Sequence, residues 1–346
     1  MNWKATLKHD PLPWLLADDP VNPGVRYFAL RDLVGLPADS AELIAAQEAV
    51  MSAGPVPKIL AQQHPDGYWV KPGYLPKYNG TMWSIIFLAQ LGANGRDPRI
   101  RQACEHLFGY AVAEQGGLSM DGRNSGLIHC LQGNLCAALI EFGHLDDERL
   151  QRALTWLARS ITGEGIAPGV EKDAPIRYLR SGNSGPGFEC SANDHLPCGW
   201  GAVKAMLALS KVPVAQRTPV MERAIQIGSD FLLSVDPATA DYPRGYAPKP
   251  NGSWFKFGYP IGYVTDVLQI LEVLVGLGYG ADPRLAHGLE LLLSKQDEQG
   301  RWLLEYTYNG KTWVDIETKG QPSKWVTLRA WRILQQVMPA HLAHEV

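Results

Sequence analysis

Gln63-His-Pro-Asp-Gly67-Tyr-Trp69 and Gln296-Asp-Glu-Gln-Gly300-Arg-Trp302 spell one phrase, Q-x-x-x-G-x-W, twice in the chain. Each copy follows an apolar stretch of helical character and precedes a loop rich in Gly, Tyr and Pro. A second phrase travels with it. Leu91-Gly92 with Asp97-Pro98-Arg99-Ile100 is matched by Leu277-Gly278 with Asp282-Pro283-Arg284-Leu285. Phe142-Gly143 with Asp147-Glu148-Arg149-Leu150 is a looser copy. Self-similarity in a fixed order marks a repeat architecture.

Working outward, six strongly apolar segments predict helices over residues 25–36, 81–91, 127–142, 197–209, 262–277 and 324–337. The third is apolar or small nearly all round, and a helix with so little polar face is buried on most sides. Helices with a clear polar face start near Ser40, Pro98, Glu148, Val220 and Pro283. Asp97 and Asp282 are placed to cap, with Pro98 and Pro283 at the first helical position. Gly92, Gly143 and Gly278 are placed to end the apolar helices before them. The grammar is buried helix, short turn, amphipathic helix, long loop, next buried helix. It predicts an all-α protein, an α/α toroid in which about six hairpins set an inner barrel inside an outer one. An open solenoid of helix pairs is the other arrangement such a repeat allows. No strand-rich stretch or linker divides the chain. Residues 1–346 read as one domain, with 1–24 as a lead-in and 339–346 as a tail.

A chain of 346 residues, 46% hydrophobic, has ample material for a large core. A formal charge of -3 makes no case for nucleic acid or for an anionic membrane surface. No apolar run is long enough to cross a bilayer. The start, Met1-Asn2-Trp3-Lys4, lacks the core of a signal peptide. Five cysteines is an odd number, read as reduced thiols of a cytoplasmic protein rather than as disulfides.

The grammar resembles the squalene-cyclase and protein-prenyltransferase group, the terpenoid-cyclase-like α/α toroids. Q-x-x-x-G-x-W is the heart of that group's QW motif, matched here by Gln63, Gly67 and Trp69 and by Gln296, Gly300 and Trp302. The resemblance spans roughly residues 25–337. It implies a structural role for these Gln and Trp residues, which in the family tie outer helices to the neighbouring loop. It also implies a central cavity entered at the N-terminal ends of the inner helices. The chain departs from the family in having no Asp-x-Asp-Asp acid motif and no Asp-Asp-x-x-Asp. The nearest string, Leu145-Asp146-Asp147-Glu148, reads as a helix cap. A standard squalene cyclisation is therefore not expected.

At the expected mouth, His129-Cys130 begins the third apolar helix, and Cys190, Asp194, His195 and Cys198 lead into the fourth. His129, Cys130, Gly133, Asn134 and Ala137 share one small, polar face by the 3.6 period. Zinc takes thiolate and imidazole in a tetrahedron. Cys130, Cys190 and Cys198 can supply three ligands, with His195 or His129 as a fourth or as a general acid. Buried, inert thiols are the bland alternative. A catalytic thiol is a third reading, since Cys198 stands at a helix N-terminus that can lower its pKa. Cys104 and Cys136 are assigned to packing. The loop over residues 180–188 is an ordinary connector or closes over a ligand; it lacks the ending of a phosphate loop.

Asp266 lies within an apolar segment, with Tyr263 three residues before it. It needs a partner or a raised pKa. It is either a general acid or a helix-start charge paired with Lys or Arg. Asp315 and Glu317 form a second candidate pair. His129, Asp194, His195, Tyr263 and Asp266 are thus the candidate catalytic groups. Tyr78, Trp83, Asn134, Trp200, Trp254, Tyr259 and Trp325 are the candidate substrate wall, because aromatic faces hold polyprenyl chains and stabilise cations. The leading expectation is a terpenoid-cyclase-like enzyme, a cyclase, isomerase or transferase, acting on an isoprenoid or similarly apolar small molecule, with zinc as a possible cofactor. A carbohydrate-active lyase or hydrolase and a non-catalytic binding or scaffold toroid are the alternatives. A dry aromatic cavity would fit the first, Arg, Asn and carboxylates in an open groove the second, and a filled centre the third.

Overall fold

The computed structural model describes residues 7–166, 173 and 184–337. The expected C-terminal tail, the first six residues of the lead-in and residues 180–183 of the Gly-rich loop lie outside these. In chain order the α-helices are α1 (Leu12–Leu16), α2 (Pro23–Phe28, continued by a π-helical turn Ala29–Val34), α3 (Ala41–Ser52), α4 (Pro55–Leu60), α5 (Thr81–Gln90), α6 (Pro98–Ala111), α7 (His129–Glu141), α8 (Glu148–Thr162), α9 (Gly199–Ser210), α10 (Pro219–Leu233), α11 (Val267–Leu274, continued by Val275–Tyr279), α12 (Ala286–Ser294) and α13 (Lys324–Val337). A two-residue ribbon pairs Trp302 with Ser323 and Leu303 with Pro322.

The chain is an α/α toroid. Helices α2, α5, α7, α9, α11 and α13 form the inner barrel, at the six apolar segments read from the sequence. α5 packs on α7, α7 on α9, α9 on α11, α11 on α13, and α13 on α2. The ring closes between α2 and α5, where a side chain on Gly24 would lie 2.3 Å from the Leu91 carbonyl. α5 is buried at every position but Gln90, as an interior helix with apolar residues all round must be. The outer helices are amphipathic. In α8, Leu150, Leu154, Leu157 and Ile161 recur at helical spacing and are buried.

The repeated phrase has the same geometry in both copies. Gln63 Nε2 donates to the Arg99 carbonyl at 2.9 Å, and Gln296 Nε2 to the His9 carbonyl at 3.3 Å. Trp69 Nε1 donates to the Ile59 carbonyl and Trp302 Nε1 to the Leu292 carbonyl, at 2.8 and 2.7 Å. Their backbone N–H groups donate to Thr81 and Thr327, in the first turns of α5 and α13, both at 3.0 Å. Each Trp thus clamps its own outer helix to the next inner one. The glycine between them has positive φ, 89° and 77°. A side chain there would lie 2.7 Å from the Gln102 carbonyl or 2.3 Å from that of His9, so both copies exclude one. His9 stands where α6 stands for the first copy, and α1 packs on α2 and α13. The N-terminal segment therefore fills the sixth outer place.

Asp97, Asp147 and Asp282 each cap a helix by accepting the N–H of the arginine two residues on, at 2.9, 2.8 and 2.9 Å. The same arginine folds its guanidinium back onto the carboxylate. These repeats leave the two ends of the barrel unlike. At the C-terminal ends of the inner helices the connections are short. At the N-terminal ends they are long and aromatic.

Candidate functional site in the lumen of the inner barrel

A cavity of about 520 Å³ lies inside the inner barrel. Its waist is aliphatic, walled by Ile86, Ala137, Ala138, Leu207, Val275 and Ile333. Its rim is charged, formed by Arg31, Asp32, Glu141, Lys211, Arg332 and Gln336. These rim residues belong to the C-terminal halves or ends of their helices. Arg31 and Lys211 are about one-third exposed and Arg332 about one-quarter, so the cavity meets solvent at this end. The sequence reading placed the mouth at the other end.

The reason is a plug. Residues 258–262, in the connection before α11, run through the lumen. Buried backbone needs partners, and polar groups on the inner helices supply them. Gln90 accepts the Ile261 N–H and donates to its carbonyl, both at 2.7 Å. Asn134 Nδ2 donates to the Gly262 carbonyl at 3.2 Å. Arg329 donates to the Gly258 carbonyl at 2.7 Å, and Asp266 accepts the Gly258 N–H at 3.0 Å. Tyr259 donates to the Gln90 carbonyl at 2.5 Å and, with Ile261, lines the cavity.

Asp266 is the N-cap of α11, accepting the Gln269 N–H at 2.8 Å. Arg329 reaches both its oxygens at 3.1 Å and both oxygens of Glu272, at 3.0 and 2.7 Å. Asp266 and Arg329 are 3% and 4% exposed. This is the ion-pair and helix-start arrangement of the two that the sequence allowed. Burial works against the Arg329 charge, but Asp266 and Glu272 more than offset it and hold the guanidinium ionised. Lys204, wholly buried on α9, donates to the amide oxygen of Gln269, which lines the cavity. Burial pulls the Lys204 pKa down to about 7 against the attraction of Asp266.

At the rim every charge has an opposite partner. Arg31 pairs with Asp32 and Glu141, Arg332 with Asp32, and Lys211 with Glu141 at 3.1 Å. Burial pushes the Glu141 pKa up, but Lys211 and Arg31 outweigh it and hold the group down at about 2. The guanidiniums of Arg31 and Arg332 lie 4.6 and 4.8 Å from the Phe28 ring centre.

Of the candidate wall, Asn134 and Tyr259 line this cavity. Trp325 is buried behind it, stacked on Tyr259 at 4.4 Å with its Nε1 donating to Asn22 at 3.0 Å. Tyr78, Trp83 and Tyr263 lie in an aromatic layer at the N-terminal end, where Trp83 touches Tyr74, Tyr78 and Tyr263 at 5.5, 5.3 and 5.3 Å. Lys77 Nζ donates to Tyr263 Oη at 2.6 Å. Trp200 and Trp254 meet edge-on at 6.3 Å. His129 faces outward: its Nε2 lies 2.8 Å from Ser160 Oγ on α8, and burial lowers its pKa to about 3. Asp194 and His195 sit on an exposed turn, both with positive φ. Asp315 accepts the Gly310 N–H at 2.7 Å. Glu317 accepts the Lys324 N–H at 2.7 Å at the start of α13, and burial raises its pKa to about 7.

The expected zinc site is corrected. Among the described residues no three His, Cys, Asp or Glu side chains are grouped to hold a metal ion. Cys190 and Cys198 do come together, but their sulfurs are turned to each other. His195 lies on its exposed turn. Cys104 and Cys136 are buried in the core, as assigned.

The sequence reading missed Arg31, Asp32, Glu141, Lys204, Lys211, Gln269, Glu272, Arg329 and Arg332. The signal was there, because Lys204, Glu272 and Arg329 are charges inside apolar helices, the feature that singled out Asp266.

No family model matches the chain, and no curated protein does. Among solved structures, it is similar to a variant of the type II terpene cyclase MstE from Scytonema in complex with geranylgeranyl dihydroxybenzoate. The identity is 17%, the TM-score 0.47, and 92% of this chain and 87% of that one are covered. MstE without ligand gives 16% identity, a TM-score of 0.44 and coverages of 91% and 87%. An unsaturated glucuronyl hydrolase specific for heparin gives 8% identity, a TM-score of 0.49 and coverages of 92% and 85%. At these identities none of the three says anything of this chain's reaction.

Proposed function

We propose that this protein is a terpenoid-cyclase-like enzyme that takes an isoprenoid or similarly apolar small molecule, with one polar end, into the lumen of its inner barrel. The observation that carries the reading is the cavity: aliphatic at the waist and charged at the rim, with the Glu272–Arg329 ion pair in its wall. Its volume, about 520 Å³, lies in the range of small-molecule sites. An apolar body there gains about 25 cal/mol for each Å² removed from water. Glu141 and Glu272 face the chamber already paired with Arg31, Lys211 and Arg329, so the site offers an apolar body a neutralised wall rather than a free acid. The carbohydrate reading is less well supported, although the rim holds Arg and carboxylates. A sugar needs several free hydrogen-bonding groups along the wall; Gln90 and Arg329 spend theirs on the protein itself, and Asn134 and Gln269 each commit one end of the amide.

The test is thermal denaturation with farnesol and geranylgeraniol on one side and neutral and uronic oligosaccharides on the other. Ligand bound only to the folded state raises the melting temperature. The alcohols are expected to raise it in the wild type and not in Ala137→Trp, which fills the waist. Stabilisation by the oligosaccharides alone, or equal stabilisation by the alcohols in Ala137→Trp, would contradict the reading. A positive binder is then incubated with the protein and its products are separated by gas chromatography and mass spectrometry. New isomers of the same mass are expected.

A further inference from the structure

Away from the lumen, the segment before α9 folds back on itself. Isolated bridges pair Ser184 with Cys190 and Glu189 with Pro197. The Cys198 N–H donates to the Phe188 carbonyl at 2.8 Å, and the His195 N–H to the Cys190 carbonyl at 3.0 Å. This hairpin sets the thiols of Cys190 and Cys198 in hydrogen-bond contact. The Asn193 N–H donates to the Cys190 carbonyl at 2.9 Å and closes the turn that follows. Cys198 Sγ in turn accepts the Gly201 N–H at 3.4 Å, as the N-cap of α9. Cys198 is half-buried, and Cys190 retains 8% exposure.

A thiol that accepts a hydrogen bond from a neighbouring thiol is held toward thiolate, and the thiolate is the nucleophile. We propose that Cys190 is a redox-active thiolate and Cys198 its resolving partner, forming a reversible disulfide with hydroperoxides. Cys190 attacks one peroxide oxygen, the O–O bond breaks, and the leaving alkoxide takes a proton to become an alcohol. Cys190 is then a sulfenic acid. Cys198 attacks its sulfur, the S–O bond breaks, and the departing hydroxide takes the Cys198 proton to become water. Two thiols are oxidised and one hydroperoxide is reduced. An external dithiol restores the pair by exchange.

The acidities agree with this division. Cys198 as donor, opposed by burial, lowers the Cys190 pKa to about 6. Donation to Cys190, together with burial, raises that of Cys198. The helix N-terminus does not make Cys198 the acidic member of the pair, as the sequence had suggested. Burial, with the nearby Cys190, sends Cys130 up to about 11, and burial takes Cys104 and Cys136 to about 12. These three are internal controls.

The folded full-length protein is treated with one equivalent of hydrogen peroxide and digested without reduction, and its peptides are mapped by mass spectrometry. A Cys190–Cys198 disulfide is expected, with Cys104, Cys130 and Cys136 still reduced. In Cys198→Ala, dimedone should trap a sulfenic acid on Cys190. The rate of alkylation of Cys190 by iodoacetamide should rise with pH through a midpoint near 6 in the wild type and at higher pH in Cys198→Ala. A Cys190–Cys130 disulfide, or Cys190 alkylated no faster at neutral pH than Cys130, would overturn the proposal. The wild-type alkylation profile decides it even if a variant fails to fold. None of these outcomes depends on what binds in the lumen.

Discussion

The two ends of the inner barrel are built from the same six helices and differ in what joins them. At the N-terminal end, long connections return over the barrel and fill it with their own aromatic rings. Trp83, Tyr74, Tyr78 and Tyr263 satisfy one another there, and the plug at residues 258–262 closes the lumen beneath them. At the C-terminal end the turns are too short to cover anything. The space between the helices remains, and its rim is lined by charges. Of these rings Trp83 is buried and Tyr74, Tyr78 and Tyr263 are half-buried, so the long connections cover this end largely with their own aromatic residues.

Four experiments would break or sharpen that contrast. The largest effect is expected from Arg329→Met, because this side chain ties the plug to Asp266 and Glu272. Removing one partner of a buried ion pair costs about 3–5 kcal/mol. Urea unfolding should show that loss. Trp302→Ala should cost a similar about 3–5 kcal/mol, as large-to-small changes of a fully buried Trp do. It should leave binding in the cavity intact below the melting temperature; lost binding with unchanged stability would refute its assignment as a clamp.

The third is a pH experiment that separates the ends. The folded pKa of His129 is lowered from 6.5 to about 3. Below pH 6.5 the unfolded chain binds a proton that the folded chain refuses, so stability is lost as pH falls from 6.5 toward 3. The folded pKa of Glu141 is lowered from 4.5 to about 2. Its contribution is present above 4.5 and is lost as pH falls toward 2. His129→Gln should flatten the upper part of the acid limb of melting temperature against pH, and Glu141→Gln the lower part. Lys204, lowered from 10.5 to about 7, acts on the alkaline side. Above pH 7 the unfolded chain holds the proton longer, so stability should rise from pH 7 toward 10.5, and rise less in Lys204→Met. The smallest effect belongs to Lys211→Met, at a partly exposed rim pair, where less than about 1 kcal/mol is expected.

The fold was legible because repetition and periodicity are properties of the chain itself. Gln63 with Trp69, Gln296 with Trp302, and the Asp-x-Arg caps recur with their contacts, and the inner helices fall where apolar residues run all round. The site was less legible. Whether a polar residue on an inner helix meets solvent, substrate or backbone depends on what threads the lumen, and nothing local marks residues 258–262 as a plug. Asn134, read as a wall residue, and Asp266, read as a general acid or a paired helix-start charge, both hold that plug. Cys190 and Cys198 are neighbours, as their places near one helix start implied. Sequence proximity does not state whether two sulfurs face a shared centre or each other, and here they face each other.

The central claim is that ligand enters at the C-terminal end and rests at the aliphatic waist. Photo-crosslinking with a diazirine-bearing farnesol analogue, followed by peptide mapping, tests it most directly. The account predicts label on Ala137 or Ala138, Leu207, Val275 and Ile333, competed by unmodified farnesol and abolished in Ala137→Trp. Label concentrated on Tyr74, Tyr78 and Tyr263, and unaffected by Ala137→Trp, would contradict it.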